Sequence, residues 1–198
     1  MGASAALSVR EADSPVGPQM RRVLPGEYYV TGNDEVIATT LGSCVAVCMR
    51  DPEAQVGGMN HFLLPEERGA SDSDVGRATR YGSYAMESLI NDLLKRGARR
   101  ERLEIKVFGG GHILSCQADV GARNIRFIRE FLQVENLRAA AEDLGDSFPR
   151  KVAYSPRTGV ARVKRLPPLE SNSIARAERT YLSRIDATAQ GGEVELFD

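Results

Sequence analysis

Two apolar runs in the first third of the chain have the pattern of paired strands. The first, from Val36 to Met49, is rich in β-branched and small apolar residues and is interrupted at Gly42-Ser43. The second runs from Val56 to Leu64. Between them, residues 51–54 read Asp-Pro-Glu-Ala, which is typical of a turn because aspartate opens turns and proline presets their second position. The pattern predicts a β-hairpin closed by the loop 51–54.

The rest of the chain mixes helical and strand periods. The predicted helices are 79–96, 120–137 and 174–185, and the remaining predicted strands are 27–30, 103–107, 151–154 and 160–166. Residues 1–22 have no hydrophobic period and are expected to be a disordered tail. We expect residues 23–168 to form one domain and residues 169–198 to form a C-terminal helix and tail. Together these elements predict an α+β fold.

Composition narrows the class of protein. The 198 residues carry 26 basic and 27 acidic side chains and a formal net charge of −1, which gives no overall field for nucleic acid or a membrane surface. The three cysteines are not spaced like a secreted disulfide framework, which favours a reducing cytoplasm. No apolar run approaches the ~20 residues that cross a bilayer, and the N-terminus does not resemble a signal peptide.

The predicted hairpin brings a cysteine and a histidine together. If residues 51–54 form the loop, facing residues have numbers that sum to 105, and Cys44 lies opposite His61. Directly opposed residues share one face of a sheet, with Cβ atoms roughly 4.5–5.5 Å apart. A bulge at Gly57-Gly58 is the alternative, and it would turn His61 to the other face. Cys44 could also be simply a small buried hydrophobic residue.

The residues around Cys44 suit nucleophilic catalysis. A thiolate is the working nucleophile, and a neighbouring histidine acts as its base. Gly42 permits a tight turn, so backbone N–H groups near Gly42 and Ser43 could face a developing oxyanion. A third group usually orients the imidazole, and Thr39 and Thr40 are the nearby candidates.

Zinc binding is a rival interpretation of the same cysteine. Cys44 and Cys48, together with His112 and Cys116, could supply four ligands. Residues four apart on a strand are about 13 Å apart, however, whereas ligands of one zinc ion lie only a few Å from one another. We therefore predict no metal site. The glycine run 109–111 lacks the residues of a phosphate-binding loop, and we interpret it as a tight turn or a close backbone approach.

Several stretches together resemble the CheD family, the chemoreceptor glutamine deamidases of bacterial chemotaxis. They read LGSCVAVCMRDP, GGMNHFLLP, RYGSYAMESLINDLLKRGARRERLEIKVFGGG, VGARNIRFIREFL and RKVAYSPRTGVARV. The resemblance extends roughly from Gly26 to Leu166. It implies two packed β layers with helices on the outer faces. It also implies hydrolysis of receptor glutamines to glutamate with release of ammonia, without a cofactor.

The resemblance assigns the catalytic roles residue by residue. The catalytic cysteine falls on Cys44 and the catalytic histidine on His61. A threonine before the cysteine orients the histidine in this family, a role that we assign to Thr39, with Thr40 as the alternative. The expected protein substrates are methyl-accepting chemotaxis receptors. A second possibility for the chain is a non-catalytic module that binds a CheC-type phosphatase, but the presence of Cys44 and His61 favours catalysis.

Overall fold

The computed structural model describes residues 19–65, 72–113 and 120–190. Its strands are β1 (Gln19–Arg22), β2 (Tyr28–Thr31), β3 (Glu35–Leu41), β4 (Val45–Asp51), β5 (Val56–Phe62), β6 (Glu104–Gly109), β7 (Ala139–Leu144), β8 (Arg150–Tyr154) and β9 (Ala161–Arg165). Its α-helices are α1 (Asp72–Lys95), α2 (Val120–Val134) and α3 (Pro168–Gln190), and Arg100–Arg102 form a short 3-10 helix. No helix within these ranges is long and apolar enough to cross a membrane.

The strands form two sheets that pack face to face. The small sheet has the order β1-β3-β8-β9, and the large sheet has the order β2-β5-β4-β6-β7. One apolar cluster lies between the sheets and includes Ile37, Leu41, Cys44, Ala46, Cys48, Met59, Leu63, Val152 and Tyr154. A second cluster joins the opposite face of the large sheet to α1 and α2. The predicted α+β fold with two β layers and outer helices is confirmed.

The predicted hairpin forms between β4 and β5, but its register differs from the prediction. Asp51 pairs with Val56 and Ala46 pairs with His61, so facing numbers sum to 107 and Cys44 lies just before β4. The difference arises because Asp51 stays in the strand while its Oδ1 accepts the N–H groups of Glu53 and Ala54 and closes the loop. The displacement is two residues, and a two-residue displacement leaves each side chain on its predicted face.

The N-terminal end of the described chain differs from the expected tail, whereas the C-terminal helix forms as predicted and is longer. Gln19–Arg22, expected to be disordered, form β1, which pairs in parallel with residues 35–38 of β3. Their side chains are exposed, and backbone hydrogen bonding alone extends a sheet without a hydrophobic pattern. Residues 1–18 and 191–198 lie outside the described residues. At the other end, α3 includes the predicted helix 174–185 and contributes Ala175 and Leu182 to the cluster between the sheets.

Candidate active site

The turn from Gly42 to Cys44 carries the chain from one sheet to the other. The last residue of β3 belongs to the small sheet, and β4 begins the large sheet at Val45. A Cβ atom on Gly42 would lie 2.2 Å from Cδ1 of Ile113 and 2.9 Å from Oε1 of Glu178, so a larger residue there would have to displace both side chains. This turn is the interruption in the first apolar run of the sequence. It leaves the Cys44 side chain fully buried between the sheets.

Three backbone N–H groups of this turn point at one carboxylate. The Gly42 and Cys44 amides donate to Oε1 of Glu178 at 3.0 and 3.1 Å, and the Ser43 amide donates to Oε2 at 3.0 Å. The Ser43 hydroxyl also donates to Oε2, at 2.6 Å. We call the three N–H groups the amide nest. Successive backbone donors that converge in this way form an anion-binding concavity.

Each of the three carbonyl groups of the same turn accepts a hydrogen bond on the side away from Glu178. Gly42 O accepts the Gly111 amide at 2.7 Å, and Cys44 O accepts the Gly110 amide at 2.7 Å. Ser43 O accepts Nδ2 of Asn124 at 2.8 Å. Because a trans peptide is planar, a fixed carbonyl fixes the N–H of the next residue in the opposite direction. The hydrogen bonds to Gly42 O and Ser43 O therefore aim the Ser43 and Cys44 amides of the nest.

The glycine run after β6 is the close backbone approach that the sequence predicted. Gly109 has a φ of +113°, and a Cβ atom there would lie 2.1 Å from the Cys44 carbonyl oxygen. Gly110 has a φ of +66°. A side chain at Gly109 would push the run away from the turn, and a side chain at Gly110 would overlap Ile125 of α2.

A threonine hydroxyl contacts the imidazole of His61. Oγ1 of Thr39 lies 2.8 Å from Nδ1 of His61 and 2.7 Å from the carbonyl oxygen of Val23. The carbonyl can only accept, so the hydroxyl donates its proton to Val23 and accepts the Nδ1–H of the imidazole. This network assigns the neutral tautomer whose Nε2 carries the lone pair. That tautomer can act as a base through Nε2.

The alternation of β3 separates the two candidate threonines. Ile37 and Leu41 belong to the cluster between the sheets, and Thr39 lies between them on the same face of the strand. Thr40 is half-buried on the opposite face. Among the sequence-predicted residues, the structure thus brings Thr39 and His61 into direct contact.

Cys44 and His61 lie on the same side of the large sheet. Ala46 pairs with His61 across the hairpin, and Cys44 precedes Ala46 by two residues. Cys44 and Ala46 both belong to the cluster between the sheets. In the described part of the chain, the buried Nε2 of His61 has no hydrogen-bond partner. A cavity of about 350 Å³ adjoins His61, Thr39 and Glu178.

The electrostatics of the site favour neutral forms of both groups. Burial raises the pKa of the Cys44 thiol, and the neighbouring Glu178 carboxylate raises it further. Burial lowers the pKa of His61 to about 4, against the opposing effects of the Glu178 and Glu27 carboxylates. With α3 in this position, the site therefore holds a thiol and a neutral imidazole at neutral pH.

Sequence reasoning missed two functional side chains. Asn124 lies fully buried and connects Ser43 O to the Leu64 amide. An asparagine on the apolar side of α2 was the available signal. Glu178 is one of several charged residues of α3, and only its 2% exposure marks it.

The residues of the rival zinc site are in different environments. Cys48 is buried in the cluster between the sheets, and His112 is exposed. Cys116 lies outside the described residues. Within those residues, no group of three or more histidine, cysteine, aspartate or glutamate side chains could hold a metal ion.

The fold and this turn define an α+β sandwich with a buried cysteine and histidine between its layers. Comparison with known sequences then gives the family. The profile of the family described as CheD chemotactic sensory transduction matches residues 63–165. A curated relative from Janthinobacterium sp. (strain Marseille) is 55% identical over 178 residues, which are 89% of this chain and 88% of the relative.

Two further relatives agree with that match. The relative from Herminiimonas arsenicoxydans is 53% identical over 89% of this chain and 88% of its own length. The relative from Methylobacillus flagellatus is 49% identical over 93% of both chains. All three are named "probable chemoreceptor glutamine deamidase CheD". The chain belongs to the CheD family, as its sequence motifs predicted.

Proposed function

We propose that this protein hydrolyses side-chain amides of selected glutamines on chemoreceptors to glutamate and releases ammonia. One observation carries the proposal most directly. The amide nest beside Cys44 already holds a glutamate side-chain carboxylate, which is the chemical group that the reaction produces. The names of the relatives, which are those of glutamine deamidases, support the same reaction.

The first half of the reaction transfers the acyl group to the cysteine. Nε2 of His61 accepts the thiol proton, and Sγ of Cys44 forms a bond to the δ-carbon of the glutamine. The amide nest donates to the oxygen as it becomes negative. The C–N bond then breaks, and the protonated His61 gives its proton to the leaving nitrogen, which departs as ammonia.

The second half regenerates the enzyme. A water molecule gives a proton to Nε2 of His61 and attacks the thioester carbonyl carbon. The C–S bond breaks, the thiolate of Cys44 recovers the proton from His61, and glutamate is released. Thr39 keeps the proton of the neutral imidazole on Nδ1 throughout, so that Nε2 can exchange protons. These steps use only the chain's own residues and water.

Ammonia release from a purified receptor cytoplasmic fragment tests the proposal. We expect release with the wild-type protein and none with Cys44→Ala, which replaces one small buried side chain with another. Circular dichroism would verify that the variant is folded. Ammonia release by the folded variant at the wild-type rate would contradict the assignment of Cys44 as the nucleophile.

Two further expectations stay predictions, one from the family resemblance and one from the cysteine spacing. Binding of a CheC-type phosphatase is one, and a pull-down with the purified phosphatase would test it. Location in the cytoplasm is the other, and cell fractionation would test it.

A further inference from the structure

The groups that the proposed reaction needs are already engaged by the protein's own α3. Glu178 accepts all three donors of the amide nest as well as the Ser43 hydroxyl. Its side chain is only 2% exposed, and it lies beside the Cys44 thiol. A substrate carbonyl oxygen cannot accept the same N–H groups while this carboxylate holds them.

We propose that α3 is an internal competitor of the substrate, and that its Glu178 carboxylate occupies the position of the product until α3 moves away. This inference rests on the proposed glutamine hydrolysis. In that reaction the product is a glutamate side chain with the same carboxylate at the same distance from its backbone.

Helix α3 packs against the rest of the protein through a narrow face. Among the side chains of this helix that the structure describes, only Ala175, Glu178 and Leu182 are buried. These positions form a single stripe at spacings of three and four residues. A helix that contacts the body through one stripe at the end of the domain can move without disrupting either sheet.

A tyrosine pair holds the same helix at the edge of the site. The Tyr181 hydroxyl makes a hydrogen bond with the Tyr81 hydroxyl of α1. The ring of Tyr181 covers Gly26, where an added Cβ atom would overlap its hydroxyl. Because neither contact involves the amide nest, a change at Tyr181 can loosen α3 and leave the donors of the nest in place.

Two further features agree with a closed site. The Glu178 charge beside Cys44 disfavours the thiolate, because a second negative charge would have to form next to the first. The cavity beside His61 is bounded on one side by α3, through Ser173, Ala177 and Glu178. Movement of α3 would therefore open the cavity, free the nest and remove the charge beside the thiol.

Alkylation of Cys44 by iodoacetamide measures this closure without any receptor. Peptide mass spectrometry would give the rate for the wild type, Glu178→Ala, Tyr181→Ala and the matched control Glu87→Ala, which removes an exposed glutamate from α1. We expect Cys44 in Glu178→Ala to react at least about tenfold faster than in the wild type, with an increase in Tyr181→Ala and no change in the control.

Deamidation of the receptor fragment by the same proteins separates this inference from the proposed function. Faster deamidation by Glu178→Ala and Tyr181→Ala than by the wild type would support the internal competitor. Wild-type rates of alkylation and deamidation in the folded variants would overturn it. If Glu178→Ala does not fold, the alkylation and deamidation rates of Tyr181→Ala decide between these outcomes. Faster alkylation with no deamidation by any protein would overturn the proposed function and leave the closure standing.

A Glu178→Gln variant tests where the carboxylate lies relative to the nucleophile. The introduced amide should itself be hydrolysed: Sγ of Cys44 bonds to its δ-carbon, ammonia leaves with a proton from His61, and water restores the carboxylate. Peptide mass spectrometry should find the acid at position 178 in Glu178→Gln and the amide in the double variant with Cys44→Ala. An intact amide in a Glu178→Gln protein that deamidates the receptor fragment would overturn the inference.

Discussion

One hydroxyl determines which nitrogen of His61 can act as a base. Thr39 gives its proton to the Val23 carbonyl and therefore receives the proton of Nδ1. An imidazole without this contact could rotate or adopt the other tautomer, in which Nε2 carries the proton and cannot accept one from Cys44. In the proposed mechanism the threonine thus acts through the histidine, as a positioning residue.

Removal of that hydroxyl should affect turnover far more than substrate binding. We expect Thr39→Ala to lower kcat by roughly a hundredfold to ten-thousandfold, which is the range for losing the group that orients a catalytic histidine. Thr39→Ser keeps a hydroxyl and should restore most of the activity. The matched control is Thr40→Ala, on the other face of β3. A normal kcat in Thr39→Ala with a reduced kcat in Thr40→Ala would move the role to the neighbouring residue.

The buried His61 should also make folding stability depend on pH. Its pKa in the folded protein is about 4, lowered by burial against the Glu178 and Glu27 carboxylates, whereas an unfolded histidine titrates near its ordinary value of 6.5. Between these values the unfolded chain binds the extra proton, so stability falls as the pH drops from 6.5 towards 4. A difference of this size corresponds to roughly 3 kcal/mol.

Urea unfolding at several pH values would measure this dependence. The control is His61→Gln, which has no titrating group at this position. We expect its stability to vary less than that of the wild type over the same pH interval. Equal slopes for the two proteins would contradict a depressed histidine pKa.

Local sequence could predict the residues of the site that lie close together along the chain. Cys44, Thr39 and the glycine before the cysteine belong to one short stretch, and His61 follows in the paired strand. Glu178 is 134 residues from Cys44 along the chain. Nothing in the local pattern of α3 distinguishes it from the other charged residues, because its role depends on how a distant helix packs.

At the scale of single elements, α2 supports the turn from Gly42 to Cys44 through one side chain. Asn124 donates to Ser43 O and accepts the Leu64 amide, so it connects the turn to the end of β5. Its loss would leave a buried carbonyl and a buried amide without their partner. The Cys44 amide would also lose the anchor that aims it into the nest.

We therefore expect Asn124→Ala to lower kcat by roughly a hundredfold, the usual effect of a lost oxyanion donor, with a smaller effect on KM. The matched control is Asn91→Ala, which removes an exposed asparagine from α1. Thermal unfolding would separate the catalytic effect from a loss of stability. A folded Asn124→Ala with normal kcat would contradict the role of α2 in aiming the nest.

The loop between β4 and β5 should affect the stability of the fold and not the rate of deamidation. Asp51 is fully buried and accepts the amides of Glu53, Ala54 and Arg99, and its Oδ2 pairs with the Arg102 guanidinium. Hydrogen bonds to a charged group are worth roughly 1.5–3 kcal/mol, and we expect Asp51→Ala to lose about 3 kcal/mol because several such bonds are removed at once. The control, Glu53→Ala, removes an exposed partner of Arg102 and should change stability by less than about 0.5 kcal/mol.

Urea unfolding would measure both stabilities, and activity per folded molecule would be compared at the same time. Asp51 is the last residue of β4, whereas Cys44 precedes the first residue of that strand. The folded fraction of Asp51→Ala should therefore deamidate at the wild-type rate. Equal stabilities of the two variants would contradict this account of the loop.

The same aspartate explains why the hairpin register could be predicted only in part. The loop was predicted over residues 51–54 and lies at 52–55, because the sequence does not reveal whether Asp51 is the first residue of the loop or the last of the strand. Its side chain reaches over the loop from the strand. The face of each residue was nevertheless predicted correctly, because the error was an even number of residues.

At the scale of the whole molecule, the site lies where the chain crosses between two sheets. The small sheet supplies Thr39, the large sheet supplies His61, and the crossing supplies Cys44 and the nest. Periodicity predicted most of these strands, but their division into two layers came from the family resemblance. Strand pairing over long separations, such as β3 with β8, leaves no local signal in the sequence.

Two edge strands, β1 and β7, could not be predicted from the periodicity of the sequence. β1 has exposed side chains and joins the small sheet through its backbone, so its sequence has no strand pattern. β7 is rich in alanine and acidic residues and pairs in parallel at the edge of the large sheet. Both strands depend on an existing sheet to pair with.

Isotope labelling of a receptor fragment tests the central claim most directly. The fragment would be incubated in ¹⁸O-labelled water with the wild-type protein and with folded Cys44→Ala, and its peptides would be analysed by mass spectrometry. Hydrolysis through a Cys44 thioester predicts that particular glutamines become glutamates with one labelled oxygen, and only with the wild type. Labelled glutamates produced equally by Cys44→Ala, or none with either protein, would contradict the account.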